Sequence, residues 1–264
     1  MSISTFIGNI FPRFYTRKIH LYCIGAAKTG TTSVAAMFSS EFRSAHEQDI
    51  QEFNHKLINY LEGKIDLANM TQYILERDRL LNLDVESSHP MAYISDILTK
   101  CFPDAKFIIT IREPYSWLQS RLNYHNRVDP PEWREYRHYF WIRHQHEYSE
   151  EEEELEKYGL CSLDVYLSQY ADHYHRILRS IPEERRLIVK TNELASLVSN
   201  IAKFAGVDFK LLHPSHSNRE NDKILPLEKM NANYVRSKIW AHCESLIKDY
   251  FPESISDYKQ SNIS

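Results

Sequence analysis

Short, nearly uninterrupted apolar runs alternate along this chain with longer stretches in which apolar residues recur every three or four positions. The runs Ile19–Ile24, Leu80–Val85, Phe107–Ile111 and Leu187–Val189 predict strands of a sheet covered on both faces, since a strand with one wet face would alternate polar with apolar. Leu163, Tyr166, Leu167, Tyr170, Tyr174, Ile177 and Leu178 form the stripe of one amphipathic helix, and Leu227, Met230, Tyr234, Val235 and Trp240 begin another. Strand alternating with helix predicts an α/β fold in which helices flank a central, mostly parallel, doubly wound sheet. Ligands of such sheets bind beyond the carboxyl ends of the strands.

Residues 126–160 break this rhythm with Pro130-Pro131, many aromatic residues (among them Trp133, Tyr136, Tyr139, Phe140, Trp141 and Tyr148) and the run Glu150–Glu154. The segment reads as an insertion or lid, and the glutamate run as a solvated helix face. A length of 264 residues with 42% hydrophobic content suits one sizeable core. With no Pro/Gly/Ser-rich linker, a single domain over 1–264 is expected. A net charge of −4 exerts no global pull on nucleic acid or an anionic membrane, so neither is expected as a partner. The stretch Met1–Lys18 is too interrupted for a signal peptide or a membrane span, which predicts a soluble chain. Cys23, Cys101, Cys161 and Cys243 are scattered without a C-x-x-C pair; reduced, buried thiols in a cytoplasmic protein are expected. His46-Glu47 lacks the second histidine of H-E-x-x-H, His144 and His146 have no complementary cluster, and His173 and His175 do not share a helix face. No metal is assigned.

The run Ile24-Gly25-Ala26-Ala27-Lys28-Thr29-Gly30-Thr31-Thr32-Ser33 joins an apolar strand to a helical pattern. A loop of this kind offers an anion backbone N–H groups, the positive end of a helix dipole, hydroxyls and a lysine. Gly25 and Gly30 keep the spacing of the nucleotide-triphosphatase loop, but Thr31 stands where that loop has its lysine, and the only lysine here is Lys28. An ordinary ATP or GTP site is therefore disfavoured.

Lys28-Thr29-Gly30-Thr31-Thr32 resembles the 5′-phosphosulfate loop of sulfotransferases that use 3′-phosphoadenosine-5′-phosphosulfate (PAPS). A second signature of that family is matched by Lys106–Pro114, an apolar strand ending in Arg112-Glu113-Pro114, with Ser120 eight residues beyond Arg112. The resemblance implies a three-layer P-loop-like fold, PAPS as donor and 3′-phosphoadenosine-5′-phosphate (PAP) as product. It implies that Lys28, Thr29, Gly30, Thr31 and Thr32 hold the 5′-phosphate and that Arg112 and Ser120 hold the 3′-phosphate. The segment Leu187–Leu194 is similar to the family's core-closing strand and turn. Arg219, in Ser217–Lys223, falls where family members fold a basic segment over the nucleotide.

Sulfuryl transfer to a hydroxyl needs a general base. Three residues compete. Glu47 lies near the position of the catalytic glutamate of Golgi-type and tyrosyl-protein sulfotransferases. His89 lies near that of the catalytic histidine of cytosolic small-molecule sulfotransferases, although the lysine usual in that segment is missing. His46 is the third. The expected acceptor is a small molecule offering a hydroxyl or an amine or carbamoyl nitrogen. The aromatic, acidic insertion suits a cationic natural product such as an alkaloid toxin of bacterial secondary metabolism. The rival expectations are a P-loop nucleoside or nucleotide kinase and a catalytically silent nucleotide-binding module.

Overall fold

The computed structural model describes residues 15–143, 147–214 and 226–259. Five strands, β1 (Leu21–Cys23), β2 (Ser44–His46), β3 (Val85–Ser87), β4 (Lys106–Ile111) and β5 (Arg186–Lys190), form one sheet in the order β2-β3-β1-β4-β5. Every pairing is parallel, with Leu21 beside Val85 on one side and Lys106 on the other. Strand order reverses direction at β1, so the loops after β1, β3 and β4 open at the switch point where such sheets bind ligands. The helices are α1 (Thr31–Phe38), α2 (Ile50–Leu61), α3 (Leu67–Leu81), α4 (Ser95–Cys101), α5 (Pro114–Arg127), α6 (Arg134–Arg137), α7 (Glu153–Lys157), α8 (Leu163–Ser180), α9 (Val198–Ala205), α10 (Pro226–Lys229), α11 (Ala232–Tyr250) and α12 (Ile255–Lys259).

Alternation along the buried strands makes the three layers. Leu21 and Cys23 of β1 and Ile108 of β4 face Val34, Met37 and Phe38 of α1 and Ile201, Ala202 and Ala205 of α9. Tyr22, Ile24, Phe107, Ile109 and Ile111 point the other way, into a larger core with Trp117, Leu118 and Leu122 of α5, the Tyr166, Tyr170 and Tyr174 stripe of α8 and Val235 and Ile239 of α11. With successive side chains on opposite faces, an unbroken apolar run is what two covered faces require.

Two elements depart from expectation. Leu80 and Leu81 belong to α3 rather than to a strand: the helix is capped by Asp66, whose side chain accepts from the Asn69 N–H, and ends at Asn82 in the left-handed conformation (φ 45°). The strand begins only at Val85. The other is β2, an edge strand too short and polar to register as an apolar run. It is seated by buried Asp84, whose carboxylate accepts from the N–H of Arg43 at 2.9 Å and of Lys18 at 2.6 Å. Along the C-terminal stripe, Leu227 lies in α10 and Tyr234, Val235 and Trp240 in α11, with Met230 in the break between them. Cys23, Cys161 and Cys243 are buried and Cys101 is partly exposed.

Candidate active site

The loop after β1 is closed by its own residues and by β4. Gly25 passes so near β4 that a Cβ on it would lie 2.0 Å from Thr110 Oγ1 and 2.3 Å from Thr110 O. Only glycine fits. The buried Thr29 hydroxyl lies 2.6 Å from the Ala26 carbonyl oxygen, to which it donates, and 2.7 Å from Thr110 Oγ1; the Thr191 hydroxyl donates to the Thr29 carbonyl at 2.6 Å. Thr29 is thus a brace whose hydroxyl is already engaged, and the Lys190–Leu194 turn is its outer support. Gly30, at φ 104°, is the N-cap of α1, with no side chain capping the helix and no acidic residue in its first turn. The N–H groups at that end therefore have no intrahelical partner and carry the dipole's positive end, an arrangement suited to an anion. Lys28 takes a left-handed backbone (φ 71°), and its ammonium lies 4.7 Å from the centroid of Tyr124.

The second signature divides its labour. Glu113 caps α5, accepting from the N–H of Ser116 at 2.8 Å and of Tyr115 at 3.1 Å, and Pro114 occupies the first helical turn where a missing N–H costs nothing. Arg112 precedes the helix; its Nε donates to Ser116 Oγ at 2.8 Å and its guanidinium reaches the Lys28 carbonyl at 3.4 Å. Ser120 lies one turn beyond Ser116 on α5. Arg219 lies outside the described residues.

The three candidate bases come together through β2 and β3. His46 ends β2, and the chain turns at Glu47 (φ 55°), whose N–H donates to the Ser87 carbonyl at 2.9 Å. His89 starts the 3₁₀ turn His89–Ile94 that follows β3. Its Nδ1 lies 3.1 Å from Glu47 Oε1, so that nitrogen carries the hydrogen toward the carboxylate. His46 Nδ1 lies 3.7 Å from the other carboxylate oxygen, and its Nε2 lies 3.1 Å from Thr31 Oγ1 and 3.2 Å from Thr32 Oγ1. A continuous polar chain therefore runs from the phosphate-type loop through His46 and Glu47 to His89. Burial raises the Glu47 pKa above the usual carboxyl value, against the pull of His46, Arg121 and Lys28. Burial lowers the His46 pKa despite Glu47, and burial together with Arg121 holds His89 well below an ordinary imidazole.

A cavity of about 250 Å³ lies between these groups, and its lining includes Lys28, Thr31, Thr32, His46, Glu47 and His89. The remaining wall comes from α5 (Arg121, Tyr124, His125) and from the 126–160 segment (Pro130, Trp133, Tyr136, Arg137). Trp133 stacks on His89 at 4.9 Å between ring centroids, and Tyr136 meets the same imidazole edge-on at 5.4 Å.

Of the aromatic, acidic mixture anticipated in this segment, Trp133 and Tyr136 reach the cavity. Phe140 and Trp141 are buried in the core, and the glutamate run does not line the pocket. Nor is that run wholly solvated: Glu152 is buried, accepting from the N–H of Leu163 at 2.8 Å and completing a capping box with Ser149. Carboxylates gather instead in an adjoining open groove lined by Glu47, Asp49, Glu52, Glu132 and Glu135.

Residues 20–208 match the sulfotransferase domain family. The chain belongs to that family. Among solved structures, the sulfotransferase STF9 from Mycobacterium avium is similar in fold, with a TM-score of 0.53 and 14% identity over 94% of this chain and 81% of that one. A sulfotransferase from Alicyclobacillus acidocaldarius gives a TM-score of 0.43 and 17% identity over 86% of this chain and 96% of that one. The sulfotransferase domain from the curacin biosynthetic pathway gives 0.41 and 15%, over 80% and 83%. No curated protein matches at a significant level. Among the described residues, no helix is long and apolar enough to cross a membrane.

Arg121, Tyr124 and His125 of this sulfotransferase were not singled out from sequence. A signal existed: Trp117, Arg121 and His125 recur at four-residue spacing on α5, which sets an arginine and a histidine in the apolar stripe of a helix that packs into the core.

Proposed function

We propose that this sulfotransferase moves a sulfuryl group from PAPS to a hydroxyl or amine of a small-molecule acceptor seated in the cavity. The observation that carries the reading is the 3.1 Å contact between Glu47 and His89 in the same cavity wall as Lys28, Thr31 and Thr32. The uncapped N-terminus of α1 and the lysine ahead of it fit a 5′-phosphate, and Arg112, held beside Ser116, fits a 3′-phosphate with Ser120 one helical turn further on. The donor supplies an activated SO₃ group whose bond to the phosphate oxygen breaks as the bond to the acceptor forms. Lys28 stabilises charge growing on the leaving phosphate oxygen, and the α1 amides hold the rest of that phosphate. The acceptor's proton passes to the Glu47–His89 pair, which acts as one coupled base. His46 is a positioning residue: it ties the loop hydroxyls to Glu47, so the base and the phosphate site move together.

Calorimetric titration with PAP against ADP and ATP, repeated on Arg112→Ala, tests the donor. Tight PAP binding that falls steeply in the variant is expected; preference for ATP overturns the reading. Glu47→Gln and His89→Asn should each lower kcat by about a hundredfold, and the double variant by little more, because the two groups act as a unit. Strictly multiplicative losses would separate the pair into independent roles.

A further inference from the structure

Arg121 is 5% exposed and lines the cavity. Its guanidinium carbon lies 5.0 Å from the ring centroid of Trp141 and 5.9 Å from that of Tyr124. Among the described residues, no carboxylate comes within ion-pair distance of it, and its Nε is buried without a hydrogen-bond partner. Aromatic faces offset part of the cost of burying this cation, but they leave its buried Nε–H unmatched.

Two more buried, unpartnered polar atoms border the same cavity. His125 has its Nδ1 2.8 Å from the Tyr166 hydroxyl, while its Nε2 has no partner; His89 Nε2 is likewise unmatched. The neighbouring cation Arg137 is by contrast engaged, donating to the carbonyls of Val128 at 2.6 Å and His125 at 3.1 Å and to Asp129 at 3.1 Å. Arg121 is therefore a buried cation held for something that enters the cavity. A guanidinium presents parallel donors that match a carboxylate in two bonds.

We propose that the acceptor carries a carboxylate in addition to the group that is sulfated, and that Arg121 binds that carboxylate. The inference rests on the sulfuryl-transfer reading above and adds the acceptor's class. Arg121 serves the acceptor side: its charge is felt by Glu47, His89 and His125, where the group losing a proton must sit. The phosphates of the donor have Lys28, the α1 amides and Arg112. The open acidic groove competes weakly for a cationic acceptor, because Asp49, Glu52, Glu132 and Glu135 are exposed to water and Glu135 is already paired with His55 at 3.0 Å.

The test uses the full chain saturated with PAP. Glycolate, 3-hydroxybutyrate and 4-hydroxybenzoate, each with its methyl ester, and tyramine are titrated calorimetrically into the wild type, Arg121→Gln and Arg121→Lys. At least one acid should bind about thirtyfold or more tightly than its ester, as expected for a buried charged pair. That ratio should shrink to within about threefold in Arg121→Gln and stay intermediate in Arg121→Lys, with PAP affinity unchanged. An acid that never outcompetes its ester, a preference for tyramine, or a ratio that survives in Arg121→Gln overturns the assignment. Should the variants fail to fold, the wild-type comparison of acid with ester decides alone. Failure of PAP itself to bind would instead remove the donor reading, so the two failures are distinguishable.

Discussion

Arg77 of α3 links the core to the Glu47 turn, and its removal should separate stability from activity. Its guanidinium pairs with Glu86 of β3 at 2.5 and 2.8 Å, with both side chains 8% exposed. It also donates to the Gln48 carbonyl at 2.7 Å, one residue past Glu47. Arg77→Met leaves the Glu86 carboxylate buried without its counter-charge, which costs about 3–5 kcal/mol. For a chain of this size that loss corresponds to a fall in Tm of roughly 6–20 °C. Arg77→Met/Glu86→Leu removes both charges from an apolar setting, and about all but 1 kcal/mol of the loss should return. The Gln48 carbonyl stays without its donor in both variants, so the Glu47 turn loosens and kcat should remain roughly tenfold or more below wild type even when stability is restored. Thermal and urea unfolding, with kcat on the same preparations, read both quantities. A single variant within about 1 kcal/mol of wild type, or a double variant no more stable than the single, refutes the buried-pair energetics. Normal turnover in the double variant refutes a role for the Glu47 turn in catalysis.

Lys28→Met should lower kcat by about a hundredfold to a thousandfold while PAP affinity changes less than about tenfold, because the ammonium acts chiefly on charge that develops during transfer; comparable losses in both would assign it to ground-state binding. Gly25→Ala should cost more than about 3 kcal/mol or abolish soluble expression, since its Cβ would overlap backbone as well as side-chain atoms of Thr110; a melting temperature near wild type would contradict the close approach of β1 and β4. Burial holds the pKa of His173 down to about 3, with its Nε2–H donating to the Ile24 carbonyl at 2.8 Å. The unfolded chain takes up this proton below about pH 6.5 and the folded chain does not, so stability is lost as pH falls through that range, by about 2.5 kcal/mol at pH 4.5. In His173→Asn the acid-side slope of Tm against pH should be correspondingly shallower; an unchanged slope would mean that other groups set it.

The fold and the local geometry of the loops after β1 and β4 were legible in the chain because their signals are local. Apolar runs mark β1, β4 and β5, since a strand buried on both faces has no polar alternation to disguise it. Gly25, Gly30, Lys28 and the Arg112-Glu113-Pro114 turn announce themselves because a left-handed cap, a close strand crossing and a helix start each demand particular residues in sequence. The role of Thr29 was less local: nothing near it in the chain says that its hydroxyl is engaged by Thr110, eighty-one positions away.

The cavity that gathers His46, Glu47 and His89 was decided by tertiary contacts alone. β2 has too few apolar residues to signal itself, yet its pairing with β3 and the anchoring of Arg43 by Asp84 bring His46 and Glu47 beside His89. Sequence proposed these three residues as rivals, and folding makes them neighbours whose proton affinities depend on one another. Arg121 and Trp133 follow closely in the chain but acquire meaning only where α5 and the 126–160 segment wall the same cavity as Lys28 and His89. Backbone geometry is written in short-range patterns; charge, burial and proton affinity are set by whichever distant groups the fold brings within a few ångströms.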